Sequence, residues 1–446
     1  MKPSSTLLPI QMPAVEKRRL GNGLEVRIMK RGWVPLTSMR LIIRLGSGDC
    51  PPGKSGLGGL MLQLLRRGTK RKTAQAFMEL VETLGVDLNV SIRADYSVIS
   101  ATLPTPSLEA FFALLTEMLC EPAFDAEEFE RLKRRTMARL LNDLDEPATL
   151  ISRALARGFW GTHPYGLDAS GSCKDLESIR LEELKAYYGT HVGPHISRLY
   201  IAGDVCMKEV VALCEKTLGT WSQGPQLPQT VPAFERPPSG DGVLLVHKPE
   251  QTQVQFRLAA KGIPKGHPEV FPLAVVGTLL GGMFTSRLVE AIRVKRGLSY
   301  YAGCHWEQKA AAGAFVASSF TKPETARELA EVVLREIETL QKKGPTSREL
   351  QTVQQYLCGC FPMAIQTNEA FLAMLADAEL YGLPASWIAQ YRDKVLAVDM
   401  KQARQAARDY LPLNHRLLVF SGDANALAPQ LAHFGPIQKL ELSEIS

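Results

Sequence analysis

Three landmarks recur in the same order along this 446-residue chain. Arg44-Leu45-Gly46 is matched by Ala260-Lys261-Gly262, and Phe159-Trp160-Gly161 by Leu380-Tyr381-Gly382. Arg198-Leu199-Tyr200-Ile201-Ala202-Gly203-Asp204 is matched by Arg416-Leu417-Leu418-Val419-Phe420-Ser421-Gly422-Asp423. The paired glycines lie 216, 221 and 219 residues apart. A nearly constant spacing over three landmarks marks a duplicated domain. Each member of the last pair reads as a buried strand that enters a Gly-Asp turn and then a helix. Between the copies, residues 223–240 hold five prolines and little periodicity, the pattern of an extended connector. The expected domains are therefore 1–222 and 241–446, joined by 223–240.

Each half mixes strands and helices in blocks. Leu24 to Met29 and Ser38 to Leu45 are short apolar strands. Phe77, Leu80, Val81 and Leu84 form one helical stripe, with Thr73 as its cap. Val86 to Ile92 and Tyr96 to Leu103 pair as a hairpin. Two helices follow, Pro106 to Leu119 and Phe124 to Leu144. This order predicts the α+β class: two homologous domains, each an antiparallel-rich sheet with helices packed on one face.

Composition excludes several classes of function. The net charge of +6 is mild for this length. The basic runs Arg66 to Lys72 and Arg131 to Arg135 lack interleaved aromatics, so they read as a solvated loop and helix face rather than a nucleic-acid surface. No uninterrupted run of 18 apolar residues occurs, so no membrane span is expected. The N-terminal stretch lacks the apolar core of a secretion signal. The eight cysteines are scattered, with Cys358-Gly359-Cys360 the one close pair. They are expected as reduced, mostly buried thiols, which favours the cytoplasm, with the periplasm open if a leader was removed.

The segment from Ser55 to Thr69 has the frame of a zinc-peptidase helix without its chemistry. In inverzincins the motif is H-x-x-E-H, two histidine ligands one turn apart with a glutamate base between them. The corresponding positions here are Gly59, Leu62 and Gln63. A third ligand, a carboxylate on a later helix, would fall at Ala138 or Arg139. Zinc needs three protein ligands and an open water position, so no metal site is expected on this chain. Gly46-Ser47-Gly48-Asp49 lies before this helix, Phe159-Trp160-Gly161-Thr162-His163-Pro164-Tyr165-Gly166 after it, and Leu280-Gly281-Gly282-Met283-Phe284-Thr285-Ser286-Arg287-Leu288 in the second half. On these motifs the chain resembles the pitrilysin, or mitochondrial-processing-peptidase-like, family of inverzincin metallopeptidases, and within it the zinc-free subunit of a two-subunit enzyme.

That resemblance implies a role for Arg293 and Tyr300, seven residues apart in Arg293-Val294-Lys295-Arg296-Gly297-Leu298-Ser299-Tyr300. In the family a similar pair reaches into the zinc site and stabilises the oxyanion of peptide hydrolysis. The plainer reading is a helix-end ion pair for Arg293 and strand packing for Tyr300. Gly281-Gly282 reads as a helix end and tight turn, and no Lys-Ser or Lys-Thr follows it to make a phosphate loop. His191 and His195 have ligand spacing, but Gly193 and Pro194 between them break a helix. His163 fits a structural turn, and His305 falls on the strand after Tyr300.

The resemblance implies a heterodimer with a homologous H-x-x-E-H subunit that holds the zinc. This chain would supply Arg293, Tyr300 and part of the chamber for peptide or unfolded substrates; its substrate-binding residues are not assigned. The rival readings are a catalytically inactive scaffold or adaptor and a homodimeric peptide binder.

Overall fold

The computed structural model describes residues 10–445 except 33, 223–230, 233, 235–241, 385, 412 and 413. Most of the connector expected at 223–240 lies outside the described residues.

The first half opens with β1 (Val15–Arg19), β2 (Glu25–Lys30) and β3 (Leu36–Ile43). Helices α1 (Leu57–Leu65) and α2 (Ala74–Thr83) precede the hairpin β4 (Asp87–Ile92) and β5 (Ser97–Pro104). Then come α3 (Leu108–Cys120), α4 (Ala126–Asn142), α5 (Pro147–Trp160), α6 (Cys173–Ser178) and α7 (Leu181–His191). Strand β6 (Ser197–Gly203) and α8 (Met207–Lys216) close this half. The second half holds β7 (Gly242–His247), β8 (Val254–Lys261), α9 (Val270–Gly277) and the single turn α10 (Arg287–Val289). Hairpin β9 (Ala302–Gln308) and β10 (Gly313–Thr321) leads to α11 (Ala326–Lys343) and α12 (Ser347–Ala364). The chain ends with α13 (Asn368–Leu380), α14 (Trp387–Leu396), α15 (Met400–Tyr410), β11 (Leu417–Gly422), α16 (Ala424–Leu431) and β12 (Ile437–Leu440).

The two sheets repeat one topology. Their strand orders are β1-β2-β6-β3-β5-β4 and β12-β7-β11-β8-β10-β9. β2 pairs parallel with β6, as β7 does with β11. β3 and β8 then run antiparallel to β6 and β11. The repeated Gly-Asp landmark ends β6 and β11 in both copies. Its glycine in the first copy is required by crowding, because a Cβ on Gly203 would stand 2.6 Å from the Leu36 carbonyl. The edges differ: β1 joins antiparallel from the N-terminal side, and β12 joins parallel from the C-terminal side.

The sheets follow the halves of the sequence, but the compact units do not. Unit 1 comprises residues 1–134, 178–229 and 359–392, and unit 2 comprises 135–177, 230–358 and 393–446. Helix α13, from the second half, therefore belongs with the first sheet, where it packs on β3 and β6. Helix α5, from the first half, belongs with the second sheet, where it packs on β8 and β11. Both helices carry the same apolar stripe: Leu150, Ile151, Ala154 and Leu155 are buried on α5, and Phe371, Leu372, Leu375 and Ala376 on α13. Both stripes are followed by a glycine at positive φ, 57° at Gly161 and 71° at Gly382.

In unit 1 this placement covers both faces of the sheet. Ile42, Val98 and Tyr200 join Phe371, Leu372 and Leu375 in one core. Leu41 and Ile43, also buried, alternate to the other face, and α1 and α8 pack on β4 and β2. A charged cluster locks the end of α13: Glu379 meets Arg27 at 3.3 Å and Arg198 at 3.2 Å, and accepts a hydrogen bond from the Tyr200 hydroxyl at 3.0 Å.

One helical segment, Val270–Val294, is long and apolar enough to cross a membrane, and about half of its apolar stretch is buried inside the protein. It carries Arg287, Glu290 and Arg293 and is interrupted between Gly282 and Arg287. Its packing on β9 and α15 is that of a core helix.

Candidate functional site

Helix α1, with the frame of a zinc motif, lies in unit 1 and is buried on most sides. Leu62, at the position of the base, is 1% exposed, while Gly59 and Gln63 at the ligand positions are half-buried. An aliphatic side chain, an amide and a glycine do not fit zinc. Ala138 and Arg139 are exposed on α4 and add no carboxylate. Among the described residues no cluster of three His, Cys, Asp or Glu could hold a metal ion.

The approach to α1 is tightly built. Gly46 backs onto the turn between β4 and β5 so closely that a Cβ would stand 2.0 Å from the Ala94 carbonyl oxygen. Ser47 and Gly48 donate backbone hydrogen bonds to Arg93 and Ala94 at 2.8 and 3.0 Å. Asp49 accepts from the Gly46 amide at 2.6 Å. Burial pushes the Asp49 carboxyl up to about 6, opposed by that amide and assisted by Asp95. Burial likewise pushes the neighbouring Cys50 thiol up. The Gly-Ser-Gly-Asp motif thus fixes the backbone at the entry to α1, and its first glycine, Gly46, serves close approach.

Arg293 and Tyr300 lie in unit 2. Arg293 sits in a π-helical turn, Glu290–Val294, and its guanidinium lies over the exposed ring of Phe284, 4.8 Å from the centroid. Such turns often occur at functional positions. Tyr300 precedes β9 and is 85% exposed. The plainer reading of this pair does not match the structure. Tyr300 does not pack within a strand, and among the described residues Arg293 makes no ion pair.

Gly281 and Gly282 are the last two residues of a second π-helical turn, Thr278–Gly282, so the helix ends where the sequence placed its end and a turn follows. A Cβ on Gly281 would stand 2.4 Å from the Cys304 amide nitrogen, and one on Gly277 would stand 2.6 Å from Trp306 Nε1. These glycines let the helix lie directly on β9. His163 caps the turn Pro164–Gly166 by accepting from the Tyr165 amide at 3.1 Å. Phe234, inside the expected connector, is buried against Phe159, Trp160 and His163. His191 ends α7, and His195 lies in the following turn. His305 is exposed on β9, 3.6 Å from Glu307. Four of the eight free cysteines, Cys50, Cys214, Cys304 and Cys358, are buried, fewer than the expected majority.

Unit 2 also contains a cavity of about 540 Å³ between α5 and the sheet face of β8, β10 and β9. Arg257, Tyr301 and His305 line it with Trp160 and Phe159. Nothing in the sequence pointed to Arg257, because a lone arginine within an apolar strand carries no motif.

Residues 34–170 match the family model described as Insulinase (Peptidase family M16). Residues 178–357 match that of the Peptidase M16 inactive domain. The chain belongs to the M16 peptidase family. An M16 relative from Helicobacter pylori, named as a non-peptidase homolog, YmxG, is 24% identical over 85% of this chain and 88% of its own. A Bacillus subtilis relative named as an uncharacterized zinc protease, YmxG, is 21% identical over 91% of this chain and 97% of its own. The fold matches the crystal structure of a peptidase M16 inactive domain from Pseudomonas fluorescens, with a TM-score of 0.84 at 24% identity over 92% of this chain and 98% of that one. A Helicobacter pylori protease structure matches with the same TM-score at 20% identity, over 92% and 100% of the two chains. The duplicated α+β architecture is therefore that of M16 proteins, carried here on a chain without the ligand residues on its motif helix.

Proposed function

We propose that this chain is the zinc-free subunit of a heterodimeric M16 metalloendopeptidase. The partner is a homologous subunit with an intact H-x-x-E-H helix, its third carboxylate and the zinc. This chain supplies Arg293 and Tyr300 as donors to the oxyanion that forms on the scissile carbonyl. A guanidinium and a phenol held in place before reaction stabilise that charge more in the transition state than in the ground state.

The observation that carries this reading is the contrast between the two halves. The motif helix of unit 1 lacks every ligand type, whereas unit 2 presents Tyr300 to solvent and seats Arg293 on Phe284 with no ion pair among the described residues. The inactive-domain family match and the Helicobacter relative's non-peptidase name support the absence of a catalytic centre on this chain. The outer strand β4, beside α1, offers one edge on which an extended peptide could add a strand.

The test is co-purification of the tagged full chain from its source lysate, with mass spectrometry of the captured chains and a peptide-cleavage assay. A stoichiometric H-x-x-E-H homologue whose activity requires this chain is the expected result. Recovery of this chain alone, or a partner whose activity is indifferent to it, overturns the reading and leaves the scaffold role.

A further inference from the structure

The duplication lets one unit serve as the control for the other. Arg40 on β3 stands opposite Ser100 and Tyr200, and Arg257 on β8 stands opposite Ser318 and Val419. The two arginines thus occupy the same place in the two sheets. Four residues before each serine stand Tyr96 in unit 1 and Ala314 in unit 2. Two residues after each arginine stand Ile42 and Ala259. Directly after the buried stripes of α13 and α5 stand Asp377 and Ala156.

In unit 1 these positions are filled. The Tyr96 hydroxyl donates to Asp377 at 2.6 Å, Ile42 and Tyr96 are buried in the core, and Arg40 is close enough to Tyr96 to act on it electrostatically. In unit 2 the same three positions are all alanine, and all three line the cavity of about 540 Å³. With alanines in place of a tyrosine, an isoleucine and an aspartate the space stands open. Arg40 too makes no ion pair among the described residues and its Nε has no hydrogen-bond partner, so what sets unit 2 apart is the room in front of its arginine.

Arg257 is left facing that space. Its Nη1 donates to the Phe256 carbonyl at 2.9 Å, and among the described residues no carboxylate lies within ion-pair distance of it. The one acid on the cavity wall, Glu307, is 3.6 Å from His305 and 3.7 Å from Lys309. Burial pushes the Arg257 guanidinium down from its usual range, the direction expected of a cation held without a counter-ion. Gln255, Tyr301 and Ser318 add polar groups, and Trp160, Phe159 and Val316 add apolar wall. A concave, largely apolar space with a few convergent polar groups is the usual form of a small-ligand site, and its volume falls in the usual range of ~300–1,000 Å³.

We propose that this cavity binds a carboxylate carried on an apolar body, with Arg257 as its anchor. The planar guanidinium matches a carboxylate through two parallel hydrogen bonds, and the aromatic wall takes the attached group. The chemistry is shared by the C-terminal residue of a peptide and by a free aryl or alkyl acid. The site is separate from Arg293 and Tyr300 and does not depend on a zinc-bearing partner.

The test is calorimetric titration of the full-length chain with N-acetyl-phenylalanine, its primary amide and 3-phenylpropionate. Binding of either acid at millimolar concentration or below, with the matching amide about 10- to 100-fold weaker, is the expected result for a lost charge-assisted pair. Tighter binding of N-acetyl-phenylalanine than of 3-phenylpropionate assigns the site to peptide C-termini, and the reverse order assigns it to free acids. Arg257→Gln should abolish the preference for acid over amide. Ala156→Asp, which installs the acid of the other repeat, should abolish acid binding without unfolding the chain, since α13 carries an aspartate at that place. No binding of either acid, equal binding of acid and amide, or an undiminished preference in a folded Arg257→Gln or Ala156→Asp chain overturns the proposal.

Discussion

The hydroxyl of Tyr96 donates to Asp377 at 2.6 Å across 281 residues of sequence. A second bond beside it runs the other way in sequence, from the Tyr381 hydroxyl to Asp95 at 3.0 Å. Adjacent residues of the β4–β5 turn thus hold the last turn and the C-cap of α13, a helix from the other half of the chain. Tyr96 is buried, and burial with the Asp377 charge pushes its phenol well above the usual range. It therefore stays a donor at every pH the protein will meet.

Tyr96→Phe keeps the ring and removes only this donor. Losing one hydrogen bond to a partly buried acceptor costs about 0.5–1.5 kcal/mol. Unit 1 should lose that much stability in urea titration, and amide exchange along α13 should speed up more than exchange along α5. Unchanged α13 protection would show that the helix is held by its apolar stripe alone.

The duplication was legible because it is written in glycines. Gly161 and Gly382 adopt positive φ, and Gly46, Gly203 and Gly262 lie where a Cβ would meet backbone. No other residue satisfies such positions cheaply, so the landmarks stand out from one sequence. The strand and helix pattern of the first half was equally readable. Thr73 does accept a hydrogen bond from the Ala76 amide, and the Val86–Leu103 region is a hairpin.

The placement of α5 and α13 was not legible. Their apolar stripes are interchangeable in pattern and would suit either sheet, and what assigns them is long-range pairing such as Tyr96 with Asp377. The Arg257 cavity was hidden for another reason. It is made by three alanines, which carry no chemical signal until the repeats are superposed through their strand registers.

The Asp49 carboxyl supplies a pH test. Its folded value, about 6, lies above the ordinary 3.8. The folded state therefore holds its proton more tightly than the unfolded chain does. Its favourable contribution is complete below about pH 4 and is lost as the pH rises through 6. Asp49→Asn retains an acceptor for the Gly46 amide and removes the buried charge. Discounted for partial exposure, the gain is about 1 kcal/mol at neutral pH, or roughly 2–4 °C in units of this size. Melting curves from pH 4 to 8 should show the variant pulling ahead of the wild type between pH 4 and 7. A constant offset across that range would show that Asp49 does not titrate there.

Gly281→Ala addresses the contact of the π-helical turn with β9. The new methyl would collide with the backbone of Gly303 and Cys304, which cannot swing aside as a side chain could. Overpacking of this kind costs on the order of 1–3 kcal/mol. Gly282→Ala meets only the Thr278 side chain at 3.2 Å and should cost less. A Gly281→Ala loss no larger than that of Gly282→Ala in denaturant titration would show that the close approach to β9 does not set the cost, since helix propensity alone favours alanine at both positions.

Tyr300→Phe separates a catalytic role from a structural one. The hydroxyl belongs to a side chain that is 85% exposed, so its removal should leave the melting temperature of the isolated chain unchanged. If Tyr300 donates to the oxyanion at a partner's zinc centre, turnover by the reconstituted complex should fall by roughly one to three orders of magnitude. The loss should appear in kcat with little change in KM, because the bond is made in the transition state and not to the bound substrate. Arg293→Lys should also impair turnover, since an ammonium keeps the charge but not the planar fork that lies over Phe284. Wild-type turnover in the Tyr300→Phe complex would overturn the proposed role of Tyr300.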